Sequence, residues 1–243
     1  MPNPTAAMLV IGDEILSGRT KDTNTNHIAA ALTDAGIDLK EARVVSDEHE
    51  LIVEAVQALS SRYDHVFTSG GIGPTHDDIT ADAVGAAFGA KVDIRDDARD
   101  LLAAHYAREG KEFNDARKRM ARIPDGAALI DNPVSIAPGF SIENVHVMAG
   151  VPKVFHAMVA TVLARLSGGK PLLSETLKVH IGEGDIAGPL GALAEANPDV
   201  SIGSYPFQED GRFGSNLVAR GTDAARLSDV VNQLAKALGV ERA

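Results

Sequence analysis

Apolar residues run without a break through Ala6-Ala7-Met8-Leu9-Val10-Ile11-Gly12, which is how a strand buried on both faces reads. From Asn24 to Ala35 the spacing becomes helical, with Ile28, Ala31, Leu32 and Ala35 on one face and Gly36 as the stop. Ile37 to Val45 returns to a strand pattern. Ser46-Asp47-Glu48-His49-Glu50 opens a helix whose apolar face is Leu51, Ile52, Ala55, Val56 and Leu59; Asp47 and Glu50 have the spacing of a capping box. His65-Val66-Phe67-Thr68 is a third strand, followed by a glycine-rich loop and a helix from Thr80 to Phe88. This alternation predicts an α/β fold, a mostly parallel sheet with helices on both faces. Ligands of such sheets bind beyond the carboxyl ends of the strands. Gly12-Asp13-Glu14, Asp47 and Gly70-Gly71-Ile72-Gly73 all follow strands and are expected on that edge.

Further along, Asp96 to Glu109 and Asn114 to Arg122 read as helices, the second stopping before Pro124-Asp125-Gly126. Ala127 to Ile130 is a short strand. Phe140-Ser141-Ile142 and Val145-His146-Val147-Met148 flank a Glu143-Asn144 turn as a hairpin, and a helix covers Lys153 to Leu166. Ser167-Gly168-Gly169-Lys170-Pro171 is a linker. Beyond it come a strand (Thr176 to Ile181), a helix (Ile186 to Ala196), two strands across Glu209-Asp210-Gly211-Arg212 and a helix from Asp223 to Leu238. The expected organisation is an α/β domain over residues 1–168 and a small α+β (βαββα) domain over residues 171–243.

With 243 residues, 44% of them hydrophobic, the chain has the material for a substantial core. Its formal net charge of −11 argues against nucleic acid, which needs clustered Lys and Arg. The most basic run, Arg117-Lys118-Arg119 with Arg122, reads as a solvated helix face. The absence of cysteine removes disulfides, thiolate metal sites and thiol nucleophiles. No apolar run approaches the ~20 residues of a membrane helix, and Met1 to Ala7 shows no basic region followed by an apolar one, so no signal peptide is expected. These features lead us to expect a cytoplasmic protein without a membrane or nucleic-acid partner.

Candidate chemistry concentrates in Thr68-Ser69-Gly70-Gly71-Ile72-Gly73-Pro74-Thr75-His76-Asp77-Asp78-Ile79-Thr80. Three glycines let backbone N–H groups approach a ligand, and the following helix N-terminus favours an anion such as phosphate. Adjacent Asp77 and Asp78 repel phosphate unless a divalent cation lies between them or one carboxylate takes part in chemistry. His76 is either a metal ligand or proton donor, or a solvent-facing loop residue; Lys21 and Arg19 lie close to the first loop in sequence. Gly182-Glu183-Gly184-Asp185-Ile186-Ala187 superficially matches a dinucleotide fingerprint, but the helix after it reads as short and no strand-terminal acid follows, so a strand-to-helix turn is expected.

The series Gly12-Asp13-Glu14-Ile15-Leu16-Ser17-Gly18, Asp22, Asn24, Asp47 and the Thr68–Thr80 stretch resembles the molybdopterin-binding domain shared by MoaB, MogA, MoeA and CinA. The Gly-Pro-Thr-x-Asp-Asp form is most similar to the CinA branch and the N-terminal domain of eukaryotic FAD synthase. Asn114, Pro124-Asp125-Gly126-Ala127, Asn132, Ala137-Pro138-Gly139 and Gly150-Val151-Pro152 continue the likeness over residues 6–166, and the tail resembles the small domain that follows in CinA proteins. The resemblance implies a three-layer α/β/α fold with a nucleotide or pterin phosphate at the strand ends, and a homo-oligomer, dimer or trimer. It implies metal-dependent pyrophosphate hydrolysis of ADP-ribose or FAD, with Mg, Mn or Co as the divalent cation. The alternatives are molybdopterin adenylyl transfer and a non-catalytic nucleotide-binding module.

Asp78 and Asp47 are the expected catalytic groups, with Asp13, Asp77 and Asp78 around the metal. Ligand contacts are expected from Gly12, Asp13 and Glu14, from Ser69, Gly70, Gly71, Gly73 and Thr75, and from Ser135, Pro138 and Gly139. Two departures stand out. Ser135-Ile136 replace the usual Gly-Thr, and Met148-Ala149 replace Leu-Pro. Losing a glycine at 135 is expected to tighten or block that side of the pocket.

Overall fold

In the computed structural model, which describes residues 2–242, the first apolar run becomes β1 (Thr5–Ile11). It has neighbours on both sides, β2 (Asp38–Val45) and β3 (His65–Ser69), and both pairings are parallel. That central position explains why β1 is apolar at successive residues and not at alternate ones. Between these strands lie the short helix α1 (Asp13–Leu16) and the longer α2 (Asn24–Asp34) and α3 (His49–Ser60). The chain then forms α4 (Thr80–Phe88), β4 (Val92–Ile94), α5 (Asp96–Arg108), α6 (Asp115–Lys118), β5 (Arg122–Pro124), β6 (Ala128–Ile130), β7 (Gly139–Ile142), β8 (Val145–Met148) and α7 (Pro152–Leu163).

The main sheet has the order β2-β1-β3-β8-β7-β6. Its first four strands are parallel; β7 and β6 join through antiparallel ladders. Side chains alternate between two cores. Leu9, Val66 and Val147 point to one side, with Ile52, Val56, Leu59 and Val84 of α3 and α4. Met8, Phe67 and Met148 point to the other, with Ile28, Leu32, Phe155 and Met158 of α2 and α7. The result is the α/β/α three-layer arrangement. Register pairs Ile11 with Val45, Val10 with Ser69, and Ser69 with Met148, so four carboxyl-terminal strand ends share one edge.

Two local expectations change. The helix expected to reach Arg122 ends at Lys118, passes through a 3-10 turn (Arg119–Ala121) and becomes β5. β5 pairs antiparallel with β4, a ribbon absent from the sequence reading because its three-residue strands are stabilised by a partner distant in sequence. The capping box is also absent: Glu48 occupies the N-cap of α3 without a side-chain bond, and Asp47 has a different partner.

The chain divides into two units, residues 1–169 and 170–243. The second contains β9 (Leu173–Val179), α8 (Glu183–Ala196), β10 (Ser201–Glu209), β11 (Arg212–Gly221) and α9 (Ala224–Leu238). Its antiparallel sheet, β10-β11-β9, packs Leu177 and Leu217 against Val230 and Leu234 of α9. Asp210 and Gly211 turn the hairpin at φ of 50° and 76°. Asp223 caps α9 by accepting from the Arg226 N–H at 3.1 Å. The glycine motif at 182–187 is a strand-to-helix passage, as its residues suggested. However, α8 is 14 residues long and starts at Glu183, inside the motif, not at Ile186.

Candidate functional site

The carboxyl edge of the main sheet opens into a cavity of about 570 Å³. The loop after β3 forms one wall. Gly70 sits at φ of 112° and Gly71 at 68°, conformations that favour glycine. A Cβ on Gly70 would overlap the Ile11 carbonyl oxygen, and one on Gly71 the Thr80 hydroxyl. Thr80, fully buried at the start of α4, closes this turn: its N–H donates to the Gly71 carbonyl at 3.0 Å and its hydroxyl to the Gly70 carbonyl at 3.1 Å.

Past the glycines, Asp78 folds back on its own loop. Its Oδ2 accepts from the Thr75 N–H at 2.8 Å and the Thr75 hydroxyl at 2.6 Å. That hydroxyl is also the chief reason the neighbouring Asp77 carboxyl lies below the usual aspartate range, with its own N–H, His76 and Arg119 adding to the effect. Thr75 therefore organises the acid pair and does not itself line the cavity. His76 is a solvent-facing loop residue: its side chain is 99% exposed and meets only the edge of Asp77, at 3.8 Å.

From the neighbouring strands come Glu14 and Asp47. Asp47 Oδ2 accepts from the Asp13 N–H at 2.9 Å, tying the loop after β2 to the loop after β1. Burial pushes the Asp47 carboxyl above the ordinary aspartate range, and the charges of Asp13, Glu14 and Asp77 push it the same way, against the bond from Asp13. The cavity is thus lined by four carboxylates, Glu14, Asp47, Asp77 and Asp78, and its described lining contains no Lys or Arg.

Asp13, expected as a metal ligand, contributes a backbone donor to Asp47, while Glu14 one residue on supplies the lining carboxylate. Among the described residues no three acidic or histidine side chains converge tightly enough to hold one metal ion by themselves. Gly12 lies buried beneath Glu14. Gly139 lies outside the cavity lining: a Cβ there would overlap the Val147 carbonyl and Met158, so this glycine serves sheet and helix packing. Pro138 is buried beside a separate small cleft with Arg119 and Arg122. Ser135 does line the main cavity. Of the second departure, Met148 is core and Ala149 lines the cavity.

The parts played by Arg119 and Asn24 escaped the sequence reading. Arg119 donates to the Thr75 carbonyl at 3.1 Å and to the Asp78 carbonyl at 3.3 Å, so it braces the acid loop and is not a solvated bystander. Arg117 stacks on Tyr106 and Arg122 pairs with Asp82, so the basic run is largely engaged. Asn24, at the start of α2, donates to Ser69 Oγ at 2.7 Å and to the Gly150 carbonyl at 2.8 Å, joining two walls of the site. Ser69 is accordingly buried behind the cavity. Lys21 borders a narrow side cleft with Asn24 and Ser69.

Comparison with known proteins agrees with this architecture. Residues 7–168 match the family described as a probable molybdopterin binding domain. The chain belongs to that family. Residues 171–243 match a second one, the middle domain of FAD synthase. A CinA-like protein of Citrifermentans bemidjiense is 36% identical over 96% of this chain and 58% of its own length. A probable FAD synthase of Caenorhabditis elegans is 33% identical over 96% of this chain and 50% of its length. The chain therefore spans about half the length of these two relatives. A solved CinA structure from Thermoplasma acidophilum is 32% identical, with a TM-score of 0.62, covering 67% of this chain and 97% of that one. The protein is thus a CinA-like member of the molybdopterin-binding domain family carrying an FAD-synthase-type middle domain. Among the described residues no helix is long and apolar enough to cross a membrane.

Proposed function

We propose that the cavity binds an AMP-bearing phosphoanhydride, of the ADP-ribose or FAD kind, and hydrolyses its pyrophosphate bond with the help of a divalent cation. One observation carries this reading: four carboxylates and a glycine turn face one cavity whose described lining has no side-chain cation. A phosphate enters such a cavity only with its charge compensated. All-oxygen, carboxylate-rich surroundings suit a hard cation such as Mg²⁺ or Mn²⁺. Magnesium is ordinarily held by one or two carboxylates together with substrate phosphates, so the lack of a preformed three-acid cage is compatible with this role. Asp77 and Asp78 would hold the ion, which supplies charge neutralisation at the phosphoryl group.

The chain's own residues do the rest. The Gly71–Gly73 part of the turn lines the cavity and offers backbone donors to phosphate oxygens. Asp47, raised in pKa and anchored by the Asp13 N–H, takes the proton of the attacking water. The new bond joins that water oxygen to phosphorus, the bridging P–O bond breaks, and the leaving phosphate keeps its electron pair. ADP-ribose would then give AMP and ribose 5-phosphate. The likeness to a probable FAD synthase supports an adenine dinucleotide as the substrate class. Incubation with ADP-ribose or FAD and Mg²⁺, Mn²⁺ or Co²⁺ tests the reading. AMP release should fall at least ~100-fold in Asp78→Ala; release no greater from the wild type than from that variant sinks it.

A further inference from the structure

The loop over residues 132–137 forms part of the cavity wall, and its internal bonding is unusually complete. Asn132 is buried, and its amide is fully occupied within the loop. Nδ2 donates to Ser135 Oγ at 2.7 Å and to the Ala137 carbonyl at 2.8 Å. Oδ1 accepts from the Val134 N–H at 3.0 Å and the Ser135 N–H at 3.1 Å. The Asn132 carbonyl accepts from the Ile136 N–H at 3.0 Å. Ile136 is thereby held at φ of 67°, a left-handed conformation that strains a β-branched residue. Such strain persists where surrounding bonds over-determine the backbone, and those places concentrate at ligand sites.

Ser135 stands at the cavity with its Oγ already accepting from Asn132. No protein acceptor for its own proton is present among the described residues. A hydroxyl with one lone pair taken by a fixed donor still has its proton to give, and the fixed donor restricts the directions in which it points. The cavity's charged side chains are carboxylates, which as anions only accept, so a neutral donor held at its wall is complementary to a ligand oxygen. We infer that Asn132 poses the Ser135 hydroxyl as a hydrogen-bond donor to an acceptor-only oxygen of the bound ligand, a phosphate oxygen. Ser135 is then a specificity-determining contact and Asn132 a positioning residue. This rests on the nucleotide reading above for the choice of ligand.

The test is calorimetric titration of the full chain with ADP-ribose and Mg²⁺, and separately with adenosine, which lacks phosphate. Ser135→Ala and Ser135→Gly should each weaken ADP-ribose binding about ten- to hundredfold, the range of one lost hydrogen bond to a charged acceptor. Adenosine binding should not change, and Ser135→Thr, which keeps the hydroxyl, should retain wild-type affinity. Asn132→Ala should weaken ADP-ribose binding to a similar extent, yet add nothing when combined with Ser135→Ala. Wild-type affinity in Ser135→Ala overturns the inference, as does an equal loss in Ser135→Thr or an additive effect of Asn132→Ala. An equal loss for adenosine overturns the phosphate assignment. If Asn132→Ala does not fold, the three Ser135 variants decide alone. Failure of the wild type to bind ADP-ribose overturns the nucleotide reading, and this inference with it.

Discussion

At the scale of single residues, the informative side chains are those whose local pattern suggested one partner and whose fold supplied another. Asp47 has the spacing of a capping residue, yet its carboxylate accepts from the Asp13 N–H across two loops and faces the cavity. Its raised pKa gives a signed prediction. A carboxyl that holds its proton more tightly when folded stabilises the protein below its unfolded pKa, and that stabilisation is lost as pH rises through the folded value. At neutral pH the charged Asp47 therefore costs stability. Asp47→Asn, which still accepts from Asp13, should raise Tm at pH 7 by calorimetry while lowering AMP release by about 100-fold or more. A lower Tm together with full activity removes Asp47 from the site. His76 shows the opposite case: a suggestive neighbour of two aspartates in sequence, it is fully in solvent. Motif adjacency does not report side-chain direction.

At the scale of elements, the glycine loop was readable and its brace was not. Gly70 and Gly71 are required by positive φ and by close approach of the Ile11 carbonyl and Thr80, and a cluster of glycines after a strand signals such a turn. Arg119 looked like part of a charged helix face because only its near neighbours in sequence were visible. The helix stops early, the chain turns into β5, and the guanidinium reaches two carbonyls of the acid loop. Arg119→Ala should therefore lower kcat for AMP release about tenfold or more, since small displacements of reacting groups are costly. Arg119→Lys, which lacks the planar fork, should recover only part of that loss. Steady-state kinetics with Tm as a folding control would show it; unchanged kcat in Arg119→Ala means the loop holds itself.

Across the whole molecule, the sheet that positions the site also buries a titratable group. His146 on β8 is 6% exposed; its Nδ1 lies 2.9 Å from the Ser141 hydroxyl and its Nε2 3.5 Å from His65. Burial, then the charge of His65, push it down to about 4. Because the unfolded chain binds this proton more readily, stability is complete above the ordinary histidine pKa of about 6.5 and declines as pH falls toward 4, by about 3 kcal/mol at the limit. Denaturant unfolding across that window should show the decline, and His146→Gln should flatten it; an identical slope in the variant assigns the effect elsewhere.

The alternation of apolar runs and helical faces by itself determined the α/β class, the parallel core and the edge where the motif loops end, because burial on one or both faces imposes a period on the sequence. The βαββα order of the second unit was equally local. Only the tertiary structure decided which carboxylates share the cavity, that Asp13 offers its backbone and Glu14 its side chain, and that Gly139 is a packing residue. It alone revealed Arg119 as the brace and Asn132 as the organiser of its loop. Hydrophobic periodicity fixes which face is buried, whereas a polar site depends on directional bonds between residues far apart in the chain, and no local pattern records those.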